Sequence, residues 1–84
     1  MDQDTVTSIE AMILGIEAEI TRLESRREWC VVDVRREVSR DASGFGTHTA
    51  ANLAQQMVEI VGYNDAIQRA HEEIGRLNVL IGRG

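Results

Sequence analysis

Apolar residues recur at alternating steps of three and four along the first half of the chain. The row consists of Val6, Ile9, Ile13, Ile16, Ile20, Leu23, Cys30 and Val34. Arg27 is its one interruption. A repeat of 3.5 residues keeps one stripe of an α-helix facing a partner helix along its whole length. The pattern therefore predicts a long helix, from about residue 5 to residue 40, with one packed seam.

The second half of the chain carries the same repeat in two adjacent rows that share isoleucines. The first row is Leu53, Met57, Ile60, Ile67, Ile74 and Ile81, and its gaps hold Asn64, His71 and Asn78. The second row adds Tyr63, Ala70 and Leu77 to the same isoleucines. We expect the first row to form the seam of a second helix, from about residue 49 to residue 81. The second row then supplies further apolar surface beside it.

The two ends of this pattern carry different signals. Thr7 followed by Glu10 matches a capping box, and Asp4 or Thr5 could cap the helix one turn earlier. At the other end, we expect residues 82–84 to fray.

A glycine-rich segment separates the two halves. Ser43-Gly44-Phe45-Gly46 permits a tight reversal, and we place the turn at residues 41–48. So short a connection makes the two helices antiparallel neighbours, in which residues whose numbers sum to about 90 lie at the same height. The prediction is one all-α domain over residues 1–84, an antiparallel two-helix coiled-coil hairpin, with Arg27 level with residues 62–64.

A single hairpin buries one seam and leaves other apolar side chains without cover. The second row of the second helix is one such set. Outside the seam of the first helix lie Leu14, Trp29, Val31, Val32 and Val38. Self-association would bury both sets. We therefore expect a homo-oligomer, a four-helix bundle or a larger helical assembly, with a two-fold dimer as the first expectation.

The charge and composition narrow the functional classes. The chain has a net charge of −5, all nine basic residues are arginine, and there is no proline. Because nonspecific nucleic-acid binding depends on neutralising phosphates, an acidic chain is disfavoured as a nucleic-acid binder. No apolar run approaches the ~20 residues of a membrane span, and the N-terminus lacks a signal-peptide pattern. We expect a cytoplasmic protein with no membrane partner.

Catalytic chemistry finds little support in the residues. There is no nucleophile motif, phosphate-binding loop or metal-ligand cluster, so we expect no enzyme activity, no cofactor and no metal site. The single cysteine, Cys30, lies on the seam of the first helix, which favours a buried reduced thiol.

Three polar residues recur at one heptad position of the second helix. Asn64, His71 and Asn78 each have isoleucines on both sides in the row. Buried polar side chains of this kind fix register and oligomeric state in coiled coils. The alternative is that they line a polar slot that holds a ligand or a partner group.

Trp29 and Val32 lie off the seam, and Arg36 follows one turn later. Tryptophan and arginine dominate many protein interfaces, so this surface predicts a contact with another copy or with a different protein. Our leading interpretation is a non-catalytic adaptor, inhibitor or assembly factor that binds a partner protein through Trp29, Val32 and Arg36.

The alternative interpretation is an oligomer that captures a small anionic molecule such as a nucleotide. Its candidate residues lie on both sides of the turn: Arg36, Arg40, Thr47, His48 and Thr49. Free amides at a helix N-terminus, hydroxyls and guanidinium groups suit a phosphate or carboxylate. The same residues also serve as ordinary helix caps and complements to the helix dipole.

Overall fold

The computed structural model describes the backbone of residues 1–40 and 47–83 and the side chains of residues 1–39 and 50–83. Two long helices make up this part of the chain, α1 (Gln3–Arg40) and α2 (Thr47–Leu80). They pack against each other as a helical hairpin that measures 63 × 16 × 14 Å. No strand occurs among the described residues, so the predicted all-α class is confirmed.

Helix α1 begins at the chain's first carboxylate. The backbone N–H of Thr5 donates to Asp2 Oδ1 at 2.8 Å, and the N–H of Val6 donates to the carbonyl oxygen of Asp2 at 3.1 Å. These two bonds make Asp2 the N-cap residue. The capping box expected at Thr7 and Glu10 is therefore wrong, because both residues lie inside the helix.

Helix α2 ends in a hydrogen-bonded cap that includes Gly82 and Arg83, and the expected fraying of residues 82–84 stays a prediction. Gly82 adopts a φ of 78°. Its N–H donates to the carbonyl of Val79 at 3.1 Å, and the N–H of Arg83 donates to that of Asn78 at 2.7 Å. This is a Schellman motif, which needs a left-handed residue where Gly82 lies. Arg83 Nη2 also donates to Glu10 Oε2 of α1 at 2.9 Å.

Further contacts between the helices follow a consistent order. Arg27 Nη1 donates to Asn64 Oδ1 at 2.9 Å, and Cys30 Sγ donates to Glu59 Oε2 at 3.8 Å. The residue numbers sum to 91 in the first pair and to 89 in the second. The expected match between Arg27 and Asn64 is thus present as a hydrogen bond.

The core lies at the end of the hairpin where α1 begins and α2 ends. Its buried members are Ile9, Ile13 and Leu77, with Ile16, Ile74 and Ile81 packed against them. Among the described residues, Ile20 and Ile67 are the other buried apolar side chains. The row predicted for α1 is the one that packs, since each of its members is buried or half-buried.

The row predicted for α2 packs through its isoleucines, but Met57 and two of its three polar positions stay exposed. Leu77 is 2% exposed and Tyr63 is half-buried, whereas Met57 is 54% exposed and both Asn64 and His71 are exposed. The second row therefore packs against α1. The physical reason is that burying amide and imidazole groups costs free energy unless each one is hydrogen-bonded, whereas tyrosine, alanine and leucine gain by burial.

Candidate functional site

Two hydrogen bonds between the helices mark two different long sides of the hairpin. On one side, called here the Asn64 face, Arg27 bonds to Asn64. On the opposite side, the Glu59 face, Cys30 bonds to Glu59. A helical residue shares its side of a coiled coil with the residues seven positions away. The two faces can therefore be followed along both helices.

All three polar residues of the α2 row lie on the Asn64 face. Asn64 is exposed and accepts the hydrogen bond from Arg27, and His71 is exposed. Asn78 is half-buried. It lines a shallow hollow at the end where α1 begins, together with Glu10, Ile13, Leu14, Glu17 and Arg83. Within the hairpin, one of the three thus bonds between helices, and their effect on register or oligomeric state stays a prediction.

Four apolar residues follow on the same face toward the end where α2 begins. Met57 lies seven residues before Asn64, and Val61 lies one turn after Met57. They are 54% and 55% exposed. On α1, Val31 and Val38 lie 14 and 21 residues beyond Glu17 and so share its side. We call Val31, Val38, Met57 and Val61 the loop-end patch. Val31 and Val38 are apolar residues that the sequence already placed outside the seam, whereas Met57 was expected inside it and Val61 was not singled out.

Trp29 is 66% exposed on α1. Thr21, Glu24, Ser25 and Glu28 form a shallow hollow with it. A helical side chain leans toward the N-terminus of its helix, which places the indole over the preceding turn. The exposed indole offers apolar area to a partner. The hydroxyl and carboxylate groups beside it offer hydrogen-bonding groups at the same place.

The other two residues of the predicted partner surface differ from Trp29. Val32 is half-buried, and Arg36 is exposed. Arg36 Nη1 lies 3.9 Å from Asp33 Oδ1, one turn earlier on the helix. The three residues share one stretch of α1, so the structure places them together along the outside of that helix.

The anion-binding alternative falls mostly outside the described side chains. Of its five residues, only Arg36 has a described side chain, and this arginine has Asp33 as an ion-pair neighbour. The side chains of Arg40, Thr47, His48 and Thr49 lie outside the described part. This prediction therefore stays a prediction.

Exposed charges on the helices pair locally. Arg22 binds Glu19 and Arg76 binds Glu73, each three residues apart. The hydrogen bond from Arg22 lowers the pKa of Glu19, and the bond from Arg76 does the same for Glu73. Each of these pairs offsets the charge of its own two side chains at the surface.

Cys30 has the environment of an unreactive thiol. It is half-buried in the seam. Burial raises its pKa, and the nearby Glu59 carboxylate raises it further. Because the thiolate is the nucleophilic form, Cys30 is a poor nucleophile at neutral pH.

The described residues lack a metal-binding cluster and a membrane-spanning helix. In the described ranges, no three His, Cys, Asp or Glu side chains lie close enough together to hold a metal ion. Neither described helix is long and apolar enough to cross a membrane. The chain matches no family model, no curated protein and no solved structure. The features that bear on function are therefore the exposed surfaces of the two helices.

Proposed function

We propose that this chain is a non-catalytic interaction protein, an antiparallel helical hairpin that self-associates and binds a partner protein through the outside of α1. Support for the antiparallel arrangement comes from the contacts of Arg27 with Asn64 and of Arg83 with Glu10. The earlier residue of α1 pairs with the later residue of α2, as a coiled-coil hairpin with a short connection requires.

The total surface left exposed, which includes large apolar side chains of both helices, is the observation that carries the proposal. The hairpin exposes 5979 Å². A compact monomer of 9.4 kDa exposes about 5,000 Å². The excess, on the order of 1,000 Å², is comparable to the ~800 Å² that each partner buries in a protein–protein interface of standard size. A second copy would cover such an area and give the narrow core a further apolar layer.

Trp29 supports the second half of the proposal. Large aromatic side chains contribute disproportionately to binding energy when a partner desolvates them. The indole is 66% exposed, and the neighbouring Glu24 and Glu28 carboxylates favour a partner with basic groups around an apolar hollow. Arg36, on the same helix, would add a rim contact.

The test of self-association is the mass in solution. Sedimentation equilibrium of the full chain between micromolar and hundred-micromolar concentration should show a mass above 9.4 kDa, most simply twice that value. A folded species that stays at 9.4 kDa over this range would contradict the proposal.

The test of the partner surface is a site-specific crosslink in the cells that make the protein. A photoreactive amino acid at the position of Trp29 should give an adduct with a second, different protein. The same group at the position of Val79, which is 67% exposed on α2, should not. Adducts only with copies of the chain itself would assign Trp29 to self-association instead.

A further inference from the structure

We infer that the second copy docks on the loop-end patch, with the two hairpins related by a two-fold axis perpendicular to the helices. This inference rests on the self-association proposed above and goes beyond it by naming the surface and the orientation. The occupant is a second copy of this chain, and three observations lead to that choice.

The first observation is the distribution of apolar residues on the Asn64 face. Met57, Val61 and Val38 are exposed, and Val31 between them is half-buried. The other described exposed hydrophobic residues of α2 are Val58, at the edge of the patch, and Val79 and Leu80 near its last turn. At the loop-end patch, large apolar side chains of both helices thus share the Asn64 face, whereas Met12 and Leu80 do so on the Glu59 face at the other end.

The second observation is the charge on the same face at the other end. Glu10, Glu17 and Glu24 follow one another at heptad spacing along α1. A two-fold axis parallel to the helices would bring six glutamates of two copies against one interface, and the two Arg83 side chains, each bonded to Glu10, would offset only part of that charge. Removing so many like charges from water is costly. A perpendicular axis placed at the loop-end patch keeps the glutamates of each copy apart.

The third observation is a self-complementary pair of charges beside the patch. Glu28 and Arg35 are exposed and lie seven residues apart, three residues before and four residues after Val31. They therefore share one stripe at the edge of the Asn64 face. In a two-fold contact with the α1 helices antiparallel, Glu28 of each copy meets Arg35 of the other. Opposite charges so placed select the orientation of a complex.

The apolar residues of α2 obey the same symmetry. The midpoint between Glu28 and Arg35 falls between residues 31 and 32, and the midpoint between Met57 and Val61 is residue 59. These two midpoints sum to about 90, as do the numbers of Cys30 and Glu59, which are in contact. One axis at this height therefore pairs Glu28 with Arg35 and Met57 with Val61 at once.

The excess area supports a contact of this kind. The hairpin exposes on the order of 1,000 Å² more than a compact monomer of its mass, and a standard interface buries about 800 Å² per partner. A dimer thus suffices to cover the excess, and no larger ring is needed.

The experiment measures the dimer dissociation constant of full-length variants by sedimentation equilibrium. Val61→Arg should weaken the dimer at least tenfold because it puts a charge into an apolar contact. Val79→Arg is the matched control, since Val79 is 67% exposed on the same helix against 55% for Val61, and its dissociation constant should stay within about twofold of the wild type. Both changes lie on exposed positions, and circular dichroism verifies that the helices persist.

A charge exchange tests the orientation. Glu28→Arg alone and Arg35→Glu alone should each weaken the dimer by up to about tenfold, since each places like charges together at two symmetric points. The double variant Glu28→Arg/Arg35→Glu should return to within about threefold of the wild type. A two-fold axis parallel to the helices predicts no such rescue. A double variant that dimerises as weakly as the single variants would therefore overturn the perpendicular arrangement.

The outcomes separate this inference from the proposed function. A wild-type chain that remains monomeric would refute self-association itself. A wild-type dimer that Val61→Arg leaves intact would refute only the loop-end patch as its interface. Weakening by Val61→Arg, no effect of Val79→Arg and rescue by the double variant together support the inference.

Discussion

Asp2 shows how one carboxylate sets the start of a long helix. Hydrogen bonds from the backbone N–H and from the side chain of Thr5 lower the pKa of Asp2 below its ordinary value of 3.8, because they stabilise the ionised form. Since the folded pKa lies below the unfolded one, the stabilisation is complete above about pH 4. It is lost as the pH falls through the folded pKa.

We therefore predict a pH-dependent first turn. Helical chemical shifts of residues 3–6, measured by NMR, should decrease as the pH is lowered from 5 to 2. Asp2→Asn keeps an oxygen acceptor that does not titrate, so its first turn should lose this pH dependence. Asp2→Ala should be frayed at every pH. The same pH profile in Asp2→Asn as in the wild type would show that another group is responsible.

Gly82 provides a second prediction at this scale. A side chain at a φ of 78° is strained, and no atom lies within 4 Å of the added Cβ, so strain is the main effect of Gly82→Ala. We expect a loss of about 1 kcal/mol in the free energy of unfolding. Gly75→Ala is the control, because Gly75 lies inside α2 with equally open surroundings. It should gain about 0.5–1 kcal/mol. Urea denaturation at one protein concentration measures both, and equal effects would contradict the Schellman cap.

At the scale of the element, α1 could be read from the sequence and α2 only in part. Helix α1 has a single long apolar row, so its seam followed directly from the spacing. Helix α2 has two rows that share isoleucines, and spacing alone does not distinguish them. The chemistry of the residues between the isoleucines does, since Tyr63 and Leu77 pack where Asn64 and His71 remain exposed.

The pairing of Arg83 with Glu10 could not be predicted from the spacing, for a different reason. The bond between Arg83 and Glu10 joins residues 73 positions apart, and it depends on the Schellman cap that orients Arg83. Residues at the same height of the hairpin have numbers that sum to about 90. This rule identified Arg27 and Asn64 as neighbours because it needs only the position of the turn. It could not show which face they share, because that depends on the row of α2 that packs.

The choice of row makes a direct prediction. Leu77→Ala removes a side chain that is 2% exposed in the core and should cost about 2–4 kcal/mol of unfolding free energy. His71→Ala changes an exposed side chain and should cost less than about 0.5 kcal/mol. Thermal unfolding followed by circular dichroism compares the two at equal concentration. Comparable losses would indicate that His71 is buried in the assembled protein. The α2 row that contains Asn64, His71 and Asn78 would then lie at an interface.

For the whole molecule, the decisive property is the small number of apolar side chains that the hairpin buries. A hairpin 63 Å long has only five buried side chains in its described part, and none of these is completely enclosed. Small domains gain little stability from so narrow a core unless oligomerisation adds to it. The stability of this chain should therefore depend on its own concentration, because a second copy that binds only the folded state stabilises it by mass action.

We predict that the melting temperature rises by about 3–6 °C for each tenfold increase in protein concentration. This follows because tenfold is worth about 1.4 kcal/mol per dimer, or half of that per chain. Scanning calorimetry between 10 μM and 1 mM measures the shift. Val61→Arg, which is designed to weaken the dimer, is the control and should show a smaller slope and a lower melting temperature at high concentration. A melting temperature independent of concentration over this range would mean that one hairpin is sufficient for folding, and the excess area would then have to be explained by the elongated shape alone.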